Sequence, residues 1–228
     1  MNYFSLMALL KNQIDYSTYY TLKEDFNTKF NEELKKIQIN NTTRKNAVKS
    51  YLTHDRIMQD TSKGENMIIF SDGVSVLNIL STPENKTFTA ENKNDKCADY
   101  ILEAFKTMKP TDNEYIMESV AVARAMGWTP NTTDYFINID GNIYNFSLIY
   151  SLWNCIADKN NANGGCDCYL CDAGNRKSLL MRSKYGISLV LPVARDTIPD
   201  NVNVGFKHYI DFERSLEAHF IEEIKKGA

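Results

Sequence analysis

Three of the chain's five cysteines fall within six positions, as Cys166-x-Cys168-x-x-Cys171. Thiols this close could ligate a metal, exchange disulfides or simply pack. A zinc site takes four ligands, commonly as two pairs that meet from separate segments. The nearest fourth thiol is Cys155, so Cys155, Cys166, Cys168 and Cys171 form the runner-up zinc set. The histidines, His54, His208 and His219, form no ligand pair. Redox chemistry of the Cys-x-x-Cys kind wants a helix opening after a strand, which Cys168-x-x-Cys171 does not provide. Strand periodicity offers the preferred reading. It puts Cys166, Cys168 and Leu170 on one face and Asp167, Tyr169 and Cys171 on the other, with the thiols packing as small apolar groups. No metal is expected.

Other chemistry is sparse. No glycine-rich phosphate loop, His-Glu-x-x-His or Gly-x-Ser-x-Gly occurs. Asp99, Glu114 and Glu118 have the spacing of solvated helix faces. Ser71-Asp72-Gly73 reads as a hairpin turn. No catalytic residue and no cofactor is assigned, and the chain is read as not an enzyme. The basic residues Arg44, Lys45, Lys49, Lys106, Lys109 and Arg124 are either solubilising charges or a phosphate-contacting set, the latter if their helices share a face.

The elements that must position these residues follow from period. Tyr3, Leu6, Met7, Leu10 and Ile14 fit one helical face, and Leu22, Phe26, Phe30, Leu34 and Ile37 a second. Asn40-Asn41-Thr42-Thr43 offers N-caps for a helix that turns Ala47, Val48, Tyr51 and Leu52 inward and Arg44, Lys45 and Lys49 outward. Met67–Phe70 and Val74–Leu80 are strand-like runs around Asp-Gly, a strong hairpin signal. Ser81 to Lys96 is polar, with a short strand near Thr87 to Thr89. Two helices follow, one lined by Ala98, Ile101, Leu102, Phe105 and Met108 and stopped by Pro110. The other runs from a capping-box-like Thr111-Asp-Asn-Glu114 to Gly127. Tyr135 to Tyr144 is a strand with a second Asp-Gly turn. Phe146 to Asp158 is a helix with Ile149, Leu152, Trp153 and Ile156 on one side. Lys177–Arg182 and Gly186–Val193 form a closing hairpin, and Asp211–Lys226 a last amphipathic helix. The fold class is α+β.

With 228 residues the chain can bury a substantial core. Its net charge of −3 supplies no global basic field for nucleic acid, so any such contact must be local. No stretch approaches the roughly 18 apolar residues of a membrane span. The odd cysteine count and the absence of a signal-like N-terminus suggest a reducing cytoplasm.

Three segments in order, "NMIIFSDGVSVLNIL", "YFINIDGNIYNFSLIYSLWNCI" and "KSLLMRSKYGISLVLPV", resemble phage proteins of the DNA sliding-clamp type, relatives of the bacterial β processivity subunit. The similarity spans about Thr43 to Arg195. Leu191-Pro192-Val193 matches the start of that family's Met-Pro-Met-Arg-Leu-like segment. Ala194 stands where the family favours Arg, and some thirty residues follow the point where its chain ends. The resemblance implies clamp-like helix-plus-antiparallel-sheet repeats. They would form a first α+β unit at 42–130 and a second at 131–197, with a helical arm at 1–41 and a helical extension at 198–228. It implies a non-catalytic, cytoplasmic processivity factor that surrounds duplex DNA, held by basic inner helices bearing Arg44, Lys45, Lys49, Lys106, Lys109 and Arg124. A DNA polymerase or other replication protein would dock near Leu191, Pro192 and Val193. A homo-oligomer would be needed to close a ring, and no membrane is involved. The alternative is a non-enzymatic regulator that binds a host or phage protein through its helical surfaces.

Overall fold

The computed structural model describes residues 16–53, 58–60, 69–79, 97–111, 115–125, 135–173, 176–194, 198 and 203–206. The expected helices over residues 3–14 and 211–226, and the strand near 87–89, lie outside the described residues. Helices are α1 (Tyr16–Lys36), α2 (Asn41–Leu52), α3 (Cys97–Thr107), α4 (Tyr115–Ala125) and α5 (Phe146–Ile156). Strands are β1 (Met58–Asp60), β2 (Ile69–Ser71), β3 (Ser75–Ile79), β4 (Lys109–Thr111), β5 (Tyr135–Ile139), β6 (Asn142–Asn145), β7 (Asp167–Ala173), β8 (Arg176–Arg182), β9 (Gly186–Val190) and β10 (Asn203–Phe206). The chain is mixed α+β, as expected. Among the described residues, no helix is long and apolar enough to cross a membrane.

Seven strands form one antiparallel sheet in the order β1-β2-β3-β9-β8-β7-β4. Six of them are two three-stranded meanders set side by side, β1-β2-β3 and β7-β8-β9. Each meander follows a helix, α2 and α5 respectively. The meanders join where β3 meets β9 antiparallel, with Leu77 opposite Ser188 at the centre. An antiparallel pair has a local two-fold relation, so the element series α-β-β-β occurs twice about this junction. The first series spans Asn41–Ile79 and the second Phe146–Val190.

Burial explains the layering. Along β2, β3, β8 and β9, successive residues alternate between two apolar clusters. Phe70, Leu77, Ile79, Leu179, Met181 and Val190 meet α2 and α5. Ile69, Val76, Leu180, Ile187 and Leu189 meet α3 on the opposite face. With both faces covered, the strands read as nearly continuous apolar runs. Residues Ala104 and Ile101 carry the α3 contact, and Leu102, expected to line it, is 42% exposed. It lies one position round the helix from the sheet-facing stripe.

The Asp-Gly turns form as expected. Gly73 and Gly141 have φ of 87° and 83°, and Asp140 before Gly141 has φ of 50°. Positive φ at both central residues is the two-residue turn that suits β5-β6. That hairpin forms the second sheet with β10, which pairs parallel to β5. Helix α1 packs on α4 through Phe30, with Phe26 and Leu34 beside it, against Ala121, Val122 and Ala125. Pro110 does not merely stop a helix. It lies in the edge strand β4, opposite Tyr169, where a missing N–H is tolerated.

Candidate nucleic-acid interface

Helices α2 and α5 lie together on one face of the sheet and form the site. Asn40 caps α2: its Oδ1 accepts from the Thr43 N–H at 2.9 Å, satisfying one of the open donors of the first turn. Asn145 caps α5 likewise, accepting from Leu148 at 3.1 Å. The start of α2 meets the end of α5. There Arg44 donates through Nη1 to the Ala157 carbonyl at 3.0 Å, and through Nη2 to Asn41. Its guanidinium also lies 3.4 Å from the centre of the Tyr185 ring, a cation–π contact.

Arg44 is therefore buried, against the expectation that it points outward. A C-terminal carbonyl on α5 and an aromatic face on the β8-β9 turn draw it in, and neither is visible from α2's own periodicity. Lys45 and Lys49 do face outward, one turn apart on α2. Helix α5 carries no charged residue, and Ser147, Tyr150, Ser151 and Asn154 are its half-buried polar positions. Just beyond its end, exposed Lys159 joins Asn40, Asn41, Thr42, Thr43 and Asn46 around an open cavity of about 550 Å³ at the start of α2. Lys159 was not among the expected contacts. More than a hundred positions separate it from Asn46 in the chain, so no local pattern signals the meeting.

The other expected cations lie on other elements. Arg124 on α4 lies 3.9 Å from Glu33 of α1. Lys106 sits on α3, across the sheet from α2, and Lys109 on the edge strand β4 opposite Leu170. Lys159 thus meets the start of the helix that bears Lys45 and Lys49.

Asp158 anchors the loop after α5. Burial pushes its carboxyl pKa up, but the Asn160 N–H and the Lys184 ammonium outweigh that and hold it below the ordinary value. The Lys184 Nζ is 2.9 Å from its Oδ2. The hydrogen bond to Asp158 correspondingly raises the pKa of Lys184.

Leu191, Pro192 and Val193 leave β9 as a half-buried strap. The Leu191 N–H donates to Val74 at 3.0 Å and the Val193 N–H to Ile143 at 2.7 Å, so the strap ties the large sheet to β6. Val74 beside it is 51% exposed, and together they present an apolar surface.

The thiols follow strand alternation. Cys166 and Cys168 face the α2–α5 side, and Cys171 the α3 side. Cys155, on α5, donates to the Ser151 carbonyl at 3.3 Å. The four residues of the zinc set are divided between two faces of the sheet and cannot converge on one ion without breaking it.

Comparison with family models, with curated proteins and with solved structures finds no match for this chain.

Proposed function

We propose that the chain is a sliding-clamp-type DNA replication accessory, a non-catalytic and cytoplasmic processivity factor of the phage kind. The observation that supports this reading is the twofold α-β-β-β series joined at β3–β9, with both helices on one face of a continuous sheet. Such a unit presents α2 and α5 to one side of the sheet, with α3 covering the other, and copies joined as a homo-oligomer would enclose duplex DNA. Lys45, Lys49 and Lys159 supply sparse, mobile phosphate contacts, and retention comes from topology. Few cations suit that role, because tight phosphate binding would oppose sliding. The apolar strap Leu191–Val193 with Val74 is the docking surface for an extended segment of a polymerase or another replication protein.

The regulator reading has less support. The apolar stripe of α1 that would serve it, Phe26, Phe30 and Leu34, is occupied by α4.

The test is retention on DNA. The full chain, loaded on nicked circular duplex, is expected to stay bound through a high-salt wash and to leave when the circle is linearised. Equal loss from circular and linear DNA, together with a monomer by light scattering, would overturn the proposal.

A further inference from the structure

The paired thiols ahead of and within β7 have no part in the DNA-facing role. Residues two apart on a strand are about 6.6–6.8 Å apart at Cα, the upper end of the range a disulfide spans. Here the side chains lean together until the Cys166 and Cys168 sulfurs are 3.7 Å apart. Cys155 and Cys171 bond to backbone carbonyls elsewhere. Gly164 and Gly165, with φ of 64° and 90°, precede the pair and form a pivot in conformations other residues rarely adopt. The pivot is also a junction. Trp153 Nε1 donates to the Gly164 carbonyl at 2.7 Å, and a Cβ at Gly165 would meet Ile39, Ala157 and Trp153 at 3.0–3.2 Å. The chain before Cys166 thus holds the end of α5 against the approach to α2.

We infer that Cys166 and Cys168 are a reversible dithiol–disulfide pair, a redox latch on the α2–α5 junction. The oxidant is a low-molecular-weight disulfide. One protein thiolate attacks a sulfur of that disulfide and releases the first small thiol. The second protein thiolate attacks the resulting mixed disulfide at the protein sulfur and releases the other. Two electrons pass to the small disulfide, and the two thiol protons end on the two small thiols. Closing the bond draws Cys166 and Cys168 together and disturbs the β7–β8 pairs Asp167–Arg182 and Cys168–Met181. The resulting strain makes the disulfide easy to reduce. In the closed fold, the hydrogen bond with Cys168 and burial keep Cys166 protonated, so reaction waits on opening at the glycine pivot.

The test treats the full-length chain with 2-hydroxyethyl disulfide, quenches in acid and counts thiols after denaturation. Loss of two of the five thiols is expected, with a product two hydrogens lighter, the bond mapped to Cys166–Cys168, and a lowered melting midpoint that dithiothreitol restores. Cys171→Ser should lose the same pair, and Cys168→Ser should stop at a mixed disulfide on Cys166. Survival of all five thiols in conditions that oxidise a dithiol peptide would overturn the inference. So would a bond mapped to another pair, or an unchanged melting midpoint in the oxidised protein.

Discussion

The two α-β-β-β series share a topology but not a chemistry. In the second, α5 buries Phe146, Ile149, Leu152, Trp153, Cys155 and Ile156 and bears no charge. In the first, α2 buries only Arg44, Val48 and Tyr51 and turns lysines outward. Helix α5 has α2, α4 and both sheets around it, so its sides must be apolar. Helix α2 flanks it and keeps one side to solvent. Within one duplicated frame, one helix is the pillar of the core and the other the polar surface.

Substitutions should separate the two roles. The largest loss is expected at Trp153→Ala, which empties a fully buried site and deletes the bond to Gly164. About 3–5 kcal/mol should go, read by denaturant unfolding. A smaller loss would mean α5 is not the pillar. Gly186→Ala probes the joint between the series. Its Cβ would sit 2.6 Å from the Asn78 carbonyl oxygen and 2.8 Å from Ile156. The backbone acceptor cannot move aside, so about 1–3 kcal/mol of destabilisation is expected by the same measurement.

Arg44→Ala should cost about 1–3 kcal/mol, leaving the Ala157 carbonyl without this donor. Its neighbours Lys45→Ala and Lys49→Ala should change stability by no more than about 0.5 kcal/mol. Each is instead expected to flatten the salt dependence of DNA binding by about one unit of log–log slope. A large stability change at Lys49 would break the division between core and surface.

Alkali should act on the buried thiol of Cys171 in the second series. Burial, chiefly, pushes the Cys171 pKa from 9.0 up to about 12. A raised folded value favours the protonated thiol in the fold. The stabilisation is therefore complete below about pH 9 and is lost as pH rises toward 12. Unfolding midpoints measured from about pH 8 to 11 should fall, and less steeply in Cys171→Ser.

Much of the fold was legible in local pattern. Asp72-Gly73 and Asp140-Gly141 announced both hairpins, because few residues besides glycine accept the required φ. Alternation placed Cys166 and Cys168 opposite Cys171. The spacing of Ile149, Leu152, Trp153 and Ile156 located the buried side of α5. The candidate site was far less legible. Arg44 has the sequence surroundings of a surface residue, and only the remote Ala157 and Tyr185 make it a core one. Lys106 matches Lys49 in type and exposure, yet its helix covers the opposite side of the sheet. Pro110 follows the end of α3, as expected of a terminator, but it also lies in an edge strand, since its pairing partner is Tyr169, far along the chain.

By itself the order of residues determined most of the helices, the Asp-Gly turns and which strand residues share a face, because these depend on periods of two and 3.6 and on local backbone sterics. Tertiary structure alone decided that β3 lies beside β9, that α2 and α5 share a face, and which cations remain outside the core. Those outcomes depend on contacts between residues tens to more than a hundred positions apart, whose partners no local window contains.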